Sequence, residues 1–218
     1  MEAPYANWVV RWQAALDACR RKGGEAEELV IMPPASEEAV AAVEGQLGVT
    51  LPTSFRKALT EFSAEVDVAW NLPSEAELPP GFEEIFRGHC DWSLEYVVEV
   101  SAWLKALLLV DYVTLGDDWH NALLFSHVPN GDYLAFDMRV MPDPPVVYLS
   151  HEDYDAPSQR IGDNFIDFME RWSLLGCPGN EDWQMMPFLP DAMSGLNAYG
   201  ENAQKWREWF GLDIEVNL

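Results

Sequence analysis

The sequence predicts an α+β fold: an antiparallel β-meander flanked by helices, with a helical extension at its C-terminal end. Three observations predict it. First, the stretch 111–153 holds four short apolar runs, at 112–115, 122–125, 133–136 and 146–149, rich in β-branched and aromatic side chains. Clusters of Gly, Asp, Asn or Pro bound each run, which is the strand-and-turn pattern. Second, Asn130-Gly131 lies between the second and third runs and favours the φ > 0 turn that joins antiparallel neighbours. Pro142, Pro144 and Pro145 separate the third from the fourth and exclude a central strand there. Third, the apolar period on either side of this stretch is helical, so helices before and after it are expected to cover one face.

Each element follows from local chemistry. Trp8, Trp12, Leu16 and Cys19 recur at spacings of four, four and three, one stripe of an amphipathic helix over 5–22. Arg20, Arg21 and Lys22 fall in its last turn, where cations suit the helix dipole, and Gly23-Gly24 stops it. The basic triplet therefore reads as a helix end rather than a binding patch. Residues 25–35 form a linker or short strand. Ser36 is an N-cap, with Glu37 and Glu38 in the first turn and Ala39, Val40, Val43 and Leu47 as the apolar face up to Gly48. Pro52 opens a second helix carrying Phe55, Leu59 and Phe62. Val66, Val68, Trp70 and Leu72 alternate with Asp67, Ala69 and Asn71, as a strand does. Residues 73–90 read as a loop. Asp91 is expected to cap a helix running to about Leu108, and Asp163 one that carries Phe165, Phe168, Met169, Trp172 and Leu175 inward before Gly176 and Pro178. A Pro-marked loop and a last helix near 196–210 complete the chain, which has no internal repeat.

Charge is the outlier of the composition. Thirty-seven Asp and Glu stand against 13 Lys and Arg, a net charge of −24 over 218 residues. Such a field repels phosphate backbones and anionic lipid and attracts basic surfaces, which argues against direct nucleic-acid or membrane binding. With 49% hydrophobic residues, including 10 Trp and 10 Phe, a large core is available. Cys19, Cys90 and Cys177 are odd in number and widely spaced, which suits free thiols in a reducing compartment. The first residues lack a basic, then apolar, leader pattern, and 104–110 (LKALLLV) is too short to span a bilayer. A cytoplasmic protein is expected.

The order of these pieces resembles the SUKH superfamily. It runs from the helix pair PPASEEAVAAVEGQLGVTLPTSFRKALTEF through the strand VDVAWNL to GDDWHNALLFSHVPNGDYLAFD, then PPVVYLSHED and the aromatic helix NFIDFMERW. LGxxLPxxF and NGDxLxFD are short motifs, and their order and spacing carry the likeness. The resemblance implies a non-enzymatic binding role. Bacterial members are similar to immunity proteins that neutralise a cognate polymorphic toxin, often a nuclease or deaminase. Fungal and animal members look like scaffolds of cell-wall signalling or ubiquitin-ligase adaptors. On this reading 1–30 is a helix packed on the domain, 31–176 the SUKH-like domain and 177–218 an extension, together one globular unit. The long acidic stretch 73–110 and the tail after 176 depart from the plain family pattern.

No nucleotide-binding, zinc-protease, serine-hydrolase or CxxC pattern is present, and no cofactor is expected. Asp117, Asp118 and His120, with His151, Glu152 and Asp153, are the best candidates for metal or hydrolytic chemistry. Their spacing is not distinctive; Asp117 and Asp118 read as a β-turn, and His151 as the end of the last strand. Charge is more informative. From Ala58 to Met138 fifteen carboxylates accompany only Arg87 and Lys105, a local balance of −13. It reads either as a solvated face or as a surface shaped for a cationic partner. On the second reading Glu83, Glu84, Asp117, Asp118 and Asp132 meet that partner. Trp119 is either an aromatic anchor there or a buried meander residue. The expected function is a monomeric antitoxin that binds a basic toxin; an intracellular adaptor is the alternative, and a metal-dependent hydrolase a remote third.

Overall fold

Strand pairing divides the chain between two sheets rather than one meander. The computed structural model describes residues 4–110, 115–152 and 157–214. In chain order these residues form α1 (Tyr5–Arg21), β1 (Glu25–Ala26), β2 (Val30–Ile31), α2 (Glu37–Leu47), α3 (Thr53–Glu61), β3 (Glu65–Asn71), β4 (Arg87–Ser93) and α4 (Leu94–Leu107). There follow α5 (Asp117–His120), β5 (Ala122–His127), β6 (Tyr133–Asp137), β7 (Val146–Leu149), β8 (Gln159–Gly162), α6 (Phe165–Leu174), α7 (Asp182–Met185), a 3₁₀ turn (Met186–Phe188) and α8 (Glu201–Phe210). In the first sheet β3 is central: β4 pairs with it antiparallel along its whole length, while the short β1 and β2 share its other edge. The second sheet is the antiparallel meander β5-β6-β7-β8. The fold is α+β.

Several expectations are corrected. Residues 73–90 are not wholly loop, because Arg87-Gly-His-Cys-Asp-Trp-Ser93 alternates half-buried and buried positions and forms β4. Asp91 is therefore mid-strand, opposite Asp67, and cannot cap α4. Ser93 caps it instead, its hydroxyl accepting from the Tyr96 N–H at 3.4 Å. Asn164, not Asp163, caps α6 by accepting from the Asp167 N–H at 3.0 Å. Asp117 and Asp118 open the one-turn helix α5 rather than a β-turn, and α8 starts at Glu201. The run at 112–115 lies outside the described residues except for Leu115, which is buried. A strand not expected, β8, pairs with β7 and closes the meander.

The meander is covered on both faces, not one. Along β6, Leu134 and Phe136 point into the main core while Tyr133 and Ala135 join a second cluster with Val100 and Leu104 of α4 and with Trp119. Strands buried on both faces carry apolar side chains at successive positions, which is why these runs lack alternation. In the main core Phe55 of α3 meets Phe165, Phe136 and Phe125 at ring-centroid distances of 4.8, 5.2 and 5.9 Å. Leu47, Leu51 and Leu59 are buried beside it. At one side Trp8 and Trp12 of α1 pack on Trp92; at the other Phe210 of α8 packs on Trp70 at 4.6 Å. The indole N–H groups of Trp70 and Trp206 donate to the carbonyls of Gly176 and Leu175, so these rings are buried without orphaned donors. Gly88 lets this region close: a Cβ there would sit 2.1 Å from the Trp70 ring and 2.4 Å from the Cys177 carbonyl oxygen. All three cysteines are free and buried.

Candidate functional site

A β-bulge decides what meets where the two sheets touch. The β5–β6 register slips between Leu124 and Ser126. Without the slip Ser126 would share a face with Leu124; with it, Ser126 lies opposite Leu134 on the face toward the first sheet. Its buried hydroxyl then donates to Asp91 of β4. His127 turns to the other face, where its ring meets Tyr133 edge-on at 5.2 Å.

Around this junction lies a polar seam. Asp67 and Asp91 are direct strand partners, and His89 stands beside them with Nε2 3.6 Å from Asp67 and Nδ1 4.0 Å from Asp91. Burial pushes the Asp91 carboxyl up, against the pull of His89 and Ser126. At His89 burial works against the imidazolium, but the two carboxylates outweigh it and raise its pKa. The fully buried Asn180 donates to the His127 carbonyl at 3.2 Å and so ties the C-terminal segment to the seam.

The residues expected to face a partner fall into two groups. Glu83 and Glu84 are exposed on the loop before β4, and Asp117 is exposed at the start of α5. Among the described residues none of the three is in an ion pair, so their charge faces solvent. Asp118 is already used. Arg139 holds it at 2.6 Å and the Ser158 N–H donates to it at 2.6 Å; burial opposes ionisation there, but these bonds win and keep its pKa low. Asp132 is not on the surface at all. It is 2% exposed, and its carboxylate accepts from the Tyr148 hydroxyl, from Asn130 at 2.7 Å and from the backbone N–H of His151 at 2.6 Å, with the His151 Nδ1 also at 2.6 Å. Here too burial raises the pKa, and the hydrogen bonds outweigh it and leave it low. Asp132 thus braces the 128–132 turn against the end of β7. Gly131, at φ +101°, makes that turn possible. Trp119 is the buried meander residue of the two alternatives, 1% exposed with its ring edge-on to Tyr133 at 6.1 Å.

The metal candidates do not converge. His120 shares an open cleft with Asp117, Asp118 and Arg139, while the His151 ring is held by Asp132. Glu152 is exposed and Asp153 lies outside the described residues. Among the described residues no group of three or more His, Cys, Asp or Glu side chains is placed to share a metal ion.

Sequence reasoning passed over the outer face of α4. Glu95, Glu99 and Trp103 are exposed at successive spacings of four, opposite the buried Leu94, Val97, Val100, Ser101 and Leu104. Trp103 is 42% exposed, and its ring lies tilted against that of Tyr133 with centroids 5.0 Å apart. A Trp outside the apolar stripe of its own helix was the available signal.

These elements lie within a stretch that can be compared with known families. Residues 34–171, more than half of the chain, match the model of the SMI1/KNR4 family (SUKH-1). The chain belongs to the SMI1/KNR4 (SUKH-1) family. Membership places it among immunity or SMI1/KNR4-type proteins and bears out the SUKH resemblance. The matched stretch runs from just before α2 into α6, and so contains both sheets from β3 onward, the polar seam and α4; α1, α7 and α8 lie outside it. No curated protein matches the chain. Among the described residues no helix of this SUKH-1 protein is long and apolar enough to cross a membrane.

Proposed function

We propose that this SUKH-1 protein is an immunity protein, a monomeric, non-enzymatic binding module that neutralises a cationic cognate toxin in the cytoplasm through its acidic surface. A basic nuclease or deaminase effector is the partner class that fits, because its substrate cleft is cationic and an acidic protein can occupy it. The observation that carries this reading is the set of exposed carboxylates without ion-pair partners among the described residues, Glu83, Glu84 and Asp117 with Glu95 and Glu99, on a chain of net charge −24. Such charges steer encounter and then meet Arg or Lys across the interface. Asp132 and Trp119 take no direct part, since they hold the scaffold.

The test is co-expression with the product of a neighbouring toxin-encoding reading frame. The protein should restore growth, and Glu83→Lys, Glu84→Lys and Asp117→Lys combined should abolish protection while leaving the melting transition intact. Full protection by that variant would count against the acidic surface. The second reading, an intracellular adaptor, rests on the resemblance to fungal and animal members of the superfamily. It is supported instead if no toxin-encoding frame adjoins the gene and the protein is recovered with a host complex.

A further inference from the structure

We infer that the outer face of α4 is the docking point for an arginine-bearing segment of the cationic partner, with Trp103 as the anchor and Glu95 and Glu99 as its charge clamp. This rests on the reading of the acidic surface as partner-facing, and it names where and by what chemistry the partner is gripped. The three side chains form one stripe. Spacings of four place neighbours side by side on a helix, so Glu99 lies beside both Glu95 and Trp103, and the stripe is about 12 Å long. Neither carboxylate meets a Lys or Arg among the described residues, so two charges stand uncompensated beside an exposed indole.

The indole is also prepared for a ligand. It lies on the Tyr133 ring at 5.0 Å, and Tyr133 is itself 7% exposed and gripped edge-on by His127 and Trp119. A ring fixed from below costs little entropy to bind, and its outer face is open. An exposed aromatic face with a carboxylate one turn away suits a planar guanidinium best. The guanidinium stacks on the ring while its N–H groups reach Glu99, and Glu95 one turn further on takes a second cation of the same segment; an ammonium offers only a point charge.

The experiment titrates ¹⁵N-labelled protein, at physiological salt, with a short Arg-Gly repeat peptide and its lysine and citrulline counterparts. The Trp103 indole signal is assigned from Trp103→Phe. The indole of Trp103 and the amides of Glu95 and Glu99 should shift first, with the arginine peptide bound about threefold more tightly than the lysine peptide and citrulline not at all. Glu95→Gln with Glu99→Gln should weaken binding about tenfold. Both residues are exposed and meet no Lys or Arg among the described residues, so the fold should be unchanged. Arginine-dependent shifts centred on Glu83, Glu84 or Asp117, or a double variant that binds as well as the wild type, would overturn the stripe while leaving the acidic-surface reading in place. Absence of any arginine-dependent shift would overturn both.

Discussion

Asp132 carries the clearest single-residue consequence. Its carboxylate is buried and bonded to four donor groups, all of which favour the ionised form. Because its folded pKa is depressed, it contributes stability above its unfolded value of about 3.9, and that contribution is lost as pH falls through the lower folded value. Asp132→Asn should therefore cost about 3 kcal/mol at neutral pH and flatten the acid limb of the stability curve. Urea melts from neutral pH down to the acid limb check this; a variant with wild-type pH dependence would mean the network does not hold a charge. His89 has the opposite sign. Its raised pKa supplies stability below about 6.5, the unfolded value, and that stability fades as pH climbs through the folded value. At the candidate metal residues, calorimetric titration with Zn²⁺, Mn²⁺ and Ca²⁺ should give only weak surface uptake. A stoichiometric site of about micromolar affinity that disappears in Asp117→Ala or His151→Ala would contradict the split between their two locations.

At the scale of elements, local signals and pairing between distant strands compete. The helix pair α2–α3 was legible because Ser36, the Leu47–Gly48 end, Pro52 and the Phe55–Leu59 spacing all speak for themselves. Truncating Leu59, which is fully buried, to Ala should cost about 2–5 kcal/mol in denaturant melts, and a loss below about half a kcal/mol would contradict its packing. Asp91 and Asp163 failed as caps because each has a better-placed neighbour, Ser93 or Asn164. That choice depends on where β4 ends against β3 and where α6 begins after β8. The period-two pattern of β4 was present but hidden by its Gly, His and Asp residues. Gln159–Gly162 carries almost no strand propensity and pairs only because β7 offers an edge. The bulge at Phe125 left no trace in composition, so the Ser126–Asp91 contact and the seam around it could not be foreseen. The same limit applied to the candidate site. Exposed charge at Glu83, Glu84 and Asp117 follows from loops and helix starts, whereas the burial of Asp132 depends on Tyr148 and His151, which come from β7 and the turn after it.

For the molecule as a whole, a dense aromatic core and a strongly negative exterior have separate roles. The core draws on both ends of the chain, with Trp8, Trp12, Trp206 and Phe210 all buried, so the surface can carry many like charges and remain folded. The central claim is that this exterior meets a cationic toxin, and its most direct test is the association rate of the purified pair as a function of salt. Long-range attraction between opposite fields is screened over about 8 Å at physiological ionic strength, so the rate should fall at least about tenfold between low and physiological salt. Reversing Glu83, Glu84, Asp117, Glu95 and Glu99 together should remove most of that dependence. An association rate that is the same at low and physiological salt would contradict the account.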